Sequence, residues 1–397
     1  MGRVRRPYWL PLLATAMLYV ALSAAAEHPP ADSGHVFYAR LVTPELDRFT
    51  NSPNKSQQQW FASHFFRMRV FTPYFDSRTA WYPNALVYIN LYGVDPGTSI
   101  LQSHPEWILH DAAGRMVYVP YDCKNGSCAR YAGDVSNEGF RRWWIGEARR
   151  VLARGHYRGL WLDDVNMEFR VGDGSGKEIA PIDPTTRRPM TWDAWRSYIA
   201  AFTEEIRAAF PDVEIDQNPI WFAGPQPARD RDSSIQRQIK SADNINIERG
   251  VATDQGLTGG TGEFSLHTLF DYIDRVHALG PGVTIEEYDL DDAKREYALA
   301  AYFLISTGRD RIGDGNTFPN SWWRGYETEL GAPLGPRTYR NGVYSRSFAR
   351  GMVFLGEPGL HPQNIPLPNA FSAIDGRKLT TVQLSARQGI VLSSTNQ

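Results

Sequence analysis

Gly159-Leu-Trp-Leu-Asp-Asp-Val-Asn166 decides how the rest of the chain is read. An apolar run buried on both faces ends abruptly in two adjacent carboxylates, as a parallel strand does when its C-terminal end opens into a mouth. Seven further strand-like runs surround it: Val36 to Leu41, Leu86 to Leu91, Ala129 to Val135, Val213 to Asn218, Asn244 to Arg249, Val283 to Tyr288, and a weaker one from Arg311 to Gly315.

Amphipathic helices lie between several of these runs. One opens near Asn137, carries Phe140, Trp143, Trp144, Ala148, Val151 and Leu152 at helical spacing, and stops at Gly155. The others begin at Thr191, Ser265 and Asp291, and end before Pro211, at Gly280 and at Gly308. Strands alternating with helices predict a parallel sheet with helical crossovers. Eight of them predict a (β/α)8 barrel. The rival, a doubly wound open sheet, would bring a glycine-rich phosphate turn, and no G-x-G-x-x-G occurs.

From about Tyr339 the texture changes to short strand-like pieces, Val343 to Phe348, Gly351 to Leu355, Lys378 to Leu384 and Gly389 to Leu392, with Pro358, Pro362, Pro366 and Pro368 among them. The expected organisation is a leader over 1–26, the barrel over 27–338 and a small all-β module over 339–397. The leader rests on Arg3, Arg5 and Arg6, an apolar stretch from Trp9 to Ala25, and small residues before Glu27, the order of a secretory signal. A secreted or periplasmic location follows, with an uncleaved N-terminal anchor as the rival reading. After signal removal no stable membrane insertion is expected.

The chain has 397 residues, 42% of them hydrophobic and 22% charged, which suits a globular protein with a large core. A net charge of -2 leaves no global basic field, so nucleic acid is not expected as a partner and a neutral substrate fits better. Twelve Trp residues supply core and also flat rings able to stack on sugars. The only cysteines, Cys123 and Cys128, flank Asn125-Gly126 and are expected to form a disulfide stapling one loop.

In such a barrel, chemistry comes from the C-terminal strand ends. Four are acidic: Asp134, Asp163-Asp164, Glu248, and Glu286-Glu287 with Asp289. Glycosidic hydrolysis needs two carboxyl groups, one to protonate the leaving oxygen and one to act as nucleophile or to activate water. Adjacent strand residues alternate faces, so Asp163 and Asp164 cannot both point inward, and one of them needs a distant partner. Glu248 is the first choice and Glu287 the second. Acidic strand ends also cap helices and pair with arginine, the structural alternative for each.

Asn218 could hydrogen-bond a sugar hydroxyl, while Trp221, Trp322 and Trp323 could form stacking platforms. Asn90, Tyr92 and Asp134 are expected on the rim. No metal or organic cofactor is required. The partner expected is a polysaccharide or oligosaccharide, cleaved by the two carboxylates; the alternative is a non-catalytic barrel that binds polysaccharide through its aromatic residues.

Three segments carry a family resemblance: Tyr157-Arg-Gly-Leu-Trp-Leu-Asp-Asp-Val165, Ile245-Asn-Ile-Glu248, and Tyr344-Ser-Arg-Ser-Phe348-Ala-Arg-Gly351-Met-Val-Phe354. With them the chain resembles hypothetical glycosyl hydrolase family 15 and, more distantly, the endo-α-1,4-polygalactosaminidases. The resemblance implies a barrel glycosidase, with a catalytic aspartate matching Asp163 or Asp164 and a glutamate matching Glu248. Leu355-Gly-Glu-Pro358 departs from it, standing where an Asn-Pro turn is expected.

Overall fold

A computed structural model describes residues 34–221 and 232–394. The leader read over 1–26 lies outside the described residues. Eight parallel strands form one sheet: β1 (Ala39–Leu41), β2 (Arg67–Val70), β3 (Ala85–Asn90), β4 (Gly159–Asp163), β5 (Glu214–Asn218), β6 (Asn244–Glu248), β7 (Gly282–Glu287) and β8 (Arg311–Asp314). They pair in chain order. A parallel bridge between Tyr38 and Ile312, with the Ile312 amide donating to the Phe37 carbonyl at 3.0 Å, closes the ring between β8 and β1. That seam needs Gly313, because a Cβ there would lie 1.7 Å from the Ala39 carbonyl oxygen.

The helices begin where the expected caps stand. Asn137 accepts from the Gly139 and Phe140 amides and opens helix Glu138–Gly155. Thr191, Ser265 and Asp291 do the same for Trp192–Ala209, Leu266–Leu279 and Asp292–Ile305. Each cap satisfies amides that the first helical turn leaves without partners, a contribution of about 1 kcal/mol.

One strand differs from its expected place. The second barrel strand is Arg67–Val70, and the run Ala129 to Val135 is not in the barrel. Its Arg130–Ala132 is instead the middle strand of a small antiparallel sheet, between Gly93–Val94 and Tyr118–Val119. Arg-Met-Arg-Val reads as a surface segment by composition. In the structure Arg67 and Arg69 are buried and paired inside the barrel, while Met68 and Val70 join the hydrophobic core.

The barrel interior is therefore ionic. Glu214 on β5 accepts from Arg67 at 2.7 Å, Arg158 at 2.9 Å and Arg311 at 2.6 Å. Three guanidiniums hold its carboxyl far below the ordinary range against the opposing effect of burial. One layer nearer the mouth, Arg69 donates to Asn246 at 2.8 Å and to Glu286 at 2.5 Å. A buried network of this kind stays stable only when every charge keeps its partner.

The C-terminal module is a six-stranded sheet beginning at Thr338, packed on helix Asp292–Ile305. The Glu296 carboxylate of that helix accepts from the Val391 amide at 3.0 Å. The module holds two strands beyond those expected, Thr338–Arg340 and Gln363–Ala373, and the second contains Pro366 and Pro368. Its proline-bearing half pairs only with Lys378–Leu384, and its last residues also pair with Gly389–Ser394. A strand half bonded on one side accommodates proline. Cys123 and Cys128 form the loop disulfide.

Candidate active site

β4 points Asp163 toward the barrel axis. Its Oδ1 accepts from Asn218 Nδ2 at 2.9 Å and its Oδ2 from the Tyr88 hydroxyl at 2.9 Å. The same Asn218 nitrogen donates to Glu248 Oε2 at 3.1 Å. One amide group at the end of β5 thus ties an acid of β4 to an acid of β6. Sharing one nitrogen limits the two carboxylate oxygens to a separation of at most about 6 Å, the sum of the two bonds.

Asn218 is itself held in place. Its Oδ1 accepts from Asn246 Nδ2 at 2.7 Å, and that nitrogen also donates to Glu286 at 2.6 Å. Glu286 is fixed by Arg69. The mouth pair is therefore positioned by the barrel's ionic interior.

Glu248 reaches solvent, yet the walls of the mouth strip much of the water from its carboxyl. That desolvation raises its pKa, the Asn218 donation lowers it, and the charges of Glu286 and Asp163 raise it further. A carboxyl so placed favours its proton, as a general acid must.

Asp164 is the first residue past the end of β4. It adopts a left-handed φ of 59°, and Asn90 donates to it at 2.6 Å and Asn166 at 3.1 Å. Burial first, and the charge of Asp163 second, raise its pKa to about 6. Arg249 and Asp289, just past the ends of β6 and β7, are also left-handed. Such conformations cost about 1–3 kcal/mol each and cluster at functional sites.

Other residues read from the sequence occupy different places. Glu287 is fully buried, and its carboxylate accepts from the amides of Val251, Ala252 and Thr253 at 2.7, 2.9 and 2.8 Å. Burial raises its pKa to about 7 against those bonds. It holds the loop after β6 and does not reach the mouth.

Asp134 is a buried turn residue accepting from the Ser136 amide and hydroxyl, not a strand end, because its segment left the barrel. Tyr92 is buried against Trp195. Trp322 packs among Tyr38, Trp60 and Phe65, and Trp323 against Tyr326, and both rings are half-buried. Asn90 lies at the mouth as expected, orienting Asp164.

Trp221 lines a cavity of about 340 Å³ with Phe169, Trp192, Ile220 and Phe264. Trp192, Ile220 and Phe264 expose 47%, 53% and 57% of their surfaces, an unusual concentration of bare apolar side chains. Asn166 belongs both to this cavity and to the hydrogen bonds of Asp164, so the cavity adjoins the acids.

Sequence reading missed Tyr88, Arg130 and Arg69. Arg130 donates to the Tyr88 hydroxyl at 2.6 Å, and that hydroxyl donates to Asp163. Alternation along β3, with Tyr88 and Asn90 two apart, was the available signal.

A closed parallel barrel with acids gathered at the C-terminal ends of its strands is a (β/α)8 protein with its candidate site on the face where such barrels carry their chemistry. Residues 67–352 match the model of hypothetical glycosyl hydrolase family 15, and the chain belongs to that family. Membership makes it a glycosidase-type enzyme with a carbohydrate substrate.

No curated protein matches the chain. Among solved structures it is similar to a noncanonic maltogenic α-amylase, AmyB from Thermotoga neapolitana, at 11% identity over 91% of this chain and 98% of that one, with a TM-score of 0.51. It is also similar to the glycoside hydrolase domain of PelA from Pseudomonas aeruginosa, at 13% identity over 71% of this chain and 95% of that one, with a TM-score of 0.40. The likeness to the amylase is one of fold. Among the described residues no helix is long and apolar enough to cross a membrane.

Proposed function

We propose that the protein is an exported glycosidase that cleaves within a polysaccharide or glycoconjugate, with Asp163 as nucleophile and Glu248 as general acid and base. The observation that carries this reading is the single Asn218 amide donating to both carboxylates. A gap of at most about 6 Å between those oxygens lies nearer the ~5–5.5 Å of retaining enzymes than the ~6.5–9.5 Å of inverting ones.

Glu248 would protonate the leaving oxygen as Asp163 attacks the anomeric carbon, breaking the glycosidic bond and forming a glycosyl ester. Water, deprotonated by Glu248, then cleaves that ester and restores both groups. Tyr88 orients Asp163, and Asp164 with Asn90 shapes the mouth beside it. The aromatic cavity at Trp221 offers ring-stacking surface for further sugars, which supports cleavage within a chain. Export rests on the charged, apolar and small-residue order of 1–26.

Asp163→Asn and Glu248→Gln are expected to lose nearly all reducing-end release from a cleaved glycan while keeping the wild-type thermal unfolding. Unchanged turnover in both would end the assignment. If that glycan were bound but never cleaved by the intact enzyme, the non-catalytic barrel would stand instead.

A further inference from the structure

A second cavity, of about 250 Å³, opens at the mouth over β1, β2, β7 and β8, lined among others by Arg40, Thr43, Arg69, Glu286 and Tyr288. Its size is below the ~300–1,000 Å³ of drug-sized sites and suits about one sugar residue. It adjoins the proposed catalytic pair, because Glu286 on its wall is the register neighbour of Glu248.

Arg40 is 1% exposed. A guanidinium carries five N–H donors and stays charged. Here Nη2 donates to the Gly315 carbonyl at 2.7 Å and the group lies over the Phe318 ring, but Nε and Nη1 are buried with no partner.

The acids of the same wall are committed elsewhere. Glu286 pairs with Arg69. Asp314 accepts from Arg295, the Thr317 amide and hydroxyl, and the Tyr326 hydroxyl. Asp289 stands exposed at the rim, and among the described residues no carboxylate pairs with Arg40. A buried cation without a counter-charge is costly unless something that enters the cavity supplies one. Thr43 Oγ1 is a further buried donor without a partner on that wall.

Resting on the glycosidase reading above, we propose that this cavity is a subsite for an acidic substituent of the sugar, a carboxylate or a sulfate ester, and that Arg40 selects acidic over neutral chains. The overall charge of -2, which favoured a neutral substrate, describes the whole surface and not this wall.

Binding can be read without turnover in the Asp163→Asn protein by calorimetry, using glucuronate, glucose 6-sulfate and glucose as probes. Glucuronate or glucose 6-sulfate is expected to bind at least about tenfold tighter than glucose, and whichever does identifies the anion. Arg40→Gln should erase that difference. Thr43→Glu keeps the arginine and places a carboxylate beside it. It should block the acidic probe while preserving the fold, which maintains the test if Arg40→Gln unfolds. Equal binding of acidic and neutral probes, or an acid preference surviving Thr43→Glu and any folded Arg40→Gln, would overturn the proposal. Such a result beside intact hydrolysis of a neutral glycan would leave the catalytic reading standing.

Discussion

Replacing Asn218 with alanine removes both hydrogen bonds that join the proposed catalytic carboxylates. Hydrogen bonds to charged groups contribute about 1.5–3 kcal/mol each, and every ~1.4 kcal/mol is a factor of ten in rate. If the loss of only one is felt at the transition state, kcat/KM should fall about 10- to 150-fold. The pH profile should move as well. The Asn218 donation lowers the pKa of Glu248 against desolvation, so its removal raises that pKa further. An acid that must carry its proton then stays active to higher pH, and the alkaline limb shifts upward. Asn246 still donates to Glu286 at 2.6 Å, so the ionic layer beneath should survive and thermal unfolding change little. The assay is reducing-end release across the pH range on the folded variant. Wild-type kcat/KM with an unmoved alkaline limb would refute the bridging role.

Glu214→Gln leaves two buried guanidiniums, Arg67 and Arg311, and the half-buried Arg158 without their shared charge and should destabilise the protein by about 3–5 kcal/mol in denaturant unfolding. Glu287→Gln keeps one acceptor oxygen but sets an NH2 against loop amides. It should cost roughly 2–4 kcal/mol of stability in the same measurement while kcat of the folded protein changes little. Asp164 has a folded pKa of about 6, above its ordinary 3.8, so the folded state binds its proton more tightly and stability declines as pH rises through that window. Asp164→Asn should therefore raise the melting temperature above about pH 6, the gain shrinking as pH falls toward 3.8.

The sequence made the barrel legible because its helices announce themselves by caps and its central strands by apolar runs. It concealed β2, since Arg67 and Arg69 look like surface residues until Glu214 and Glu286, some 150 and 220 positions away, are seen to meet them. The run at Arg130, which pairs outside the barrel, filled the vacancy in the count, so Asp163 still ended the fourth strand. Alternation describes Asp163, but Asp164 lies one residue past β4 with a left-handed φ, where the strand rule no longer applies. It could not foresee that Asn218 would bridge Asp163 to Glu248, nor that Glu287 would turn into a loop of backbone amides, because both outcomes depend on side-chain directions set across strands. Trp322 and Trp323 show the same limit. An aromatic pair in a loop after the last strand reads as a platform, and only the structure shows that part of each ring packs on Tyr38, Trp60, Phe65 and Tyr326.

In the proposed reaction Asp163 and Glu248, joined through Asn218, act as nucleophile and acid-base catalyst across a short gap. Proton NMR of the first product formed from a cleaved glycan reports its anomeric configuration before mutarotation. The account predicts the same configuration as the bond that was cut. The opposite anomer would contradict it, because inversion uses the wider carboxyl spacing of ~6.5–9.5 Å that leaves room for a water.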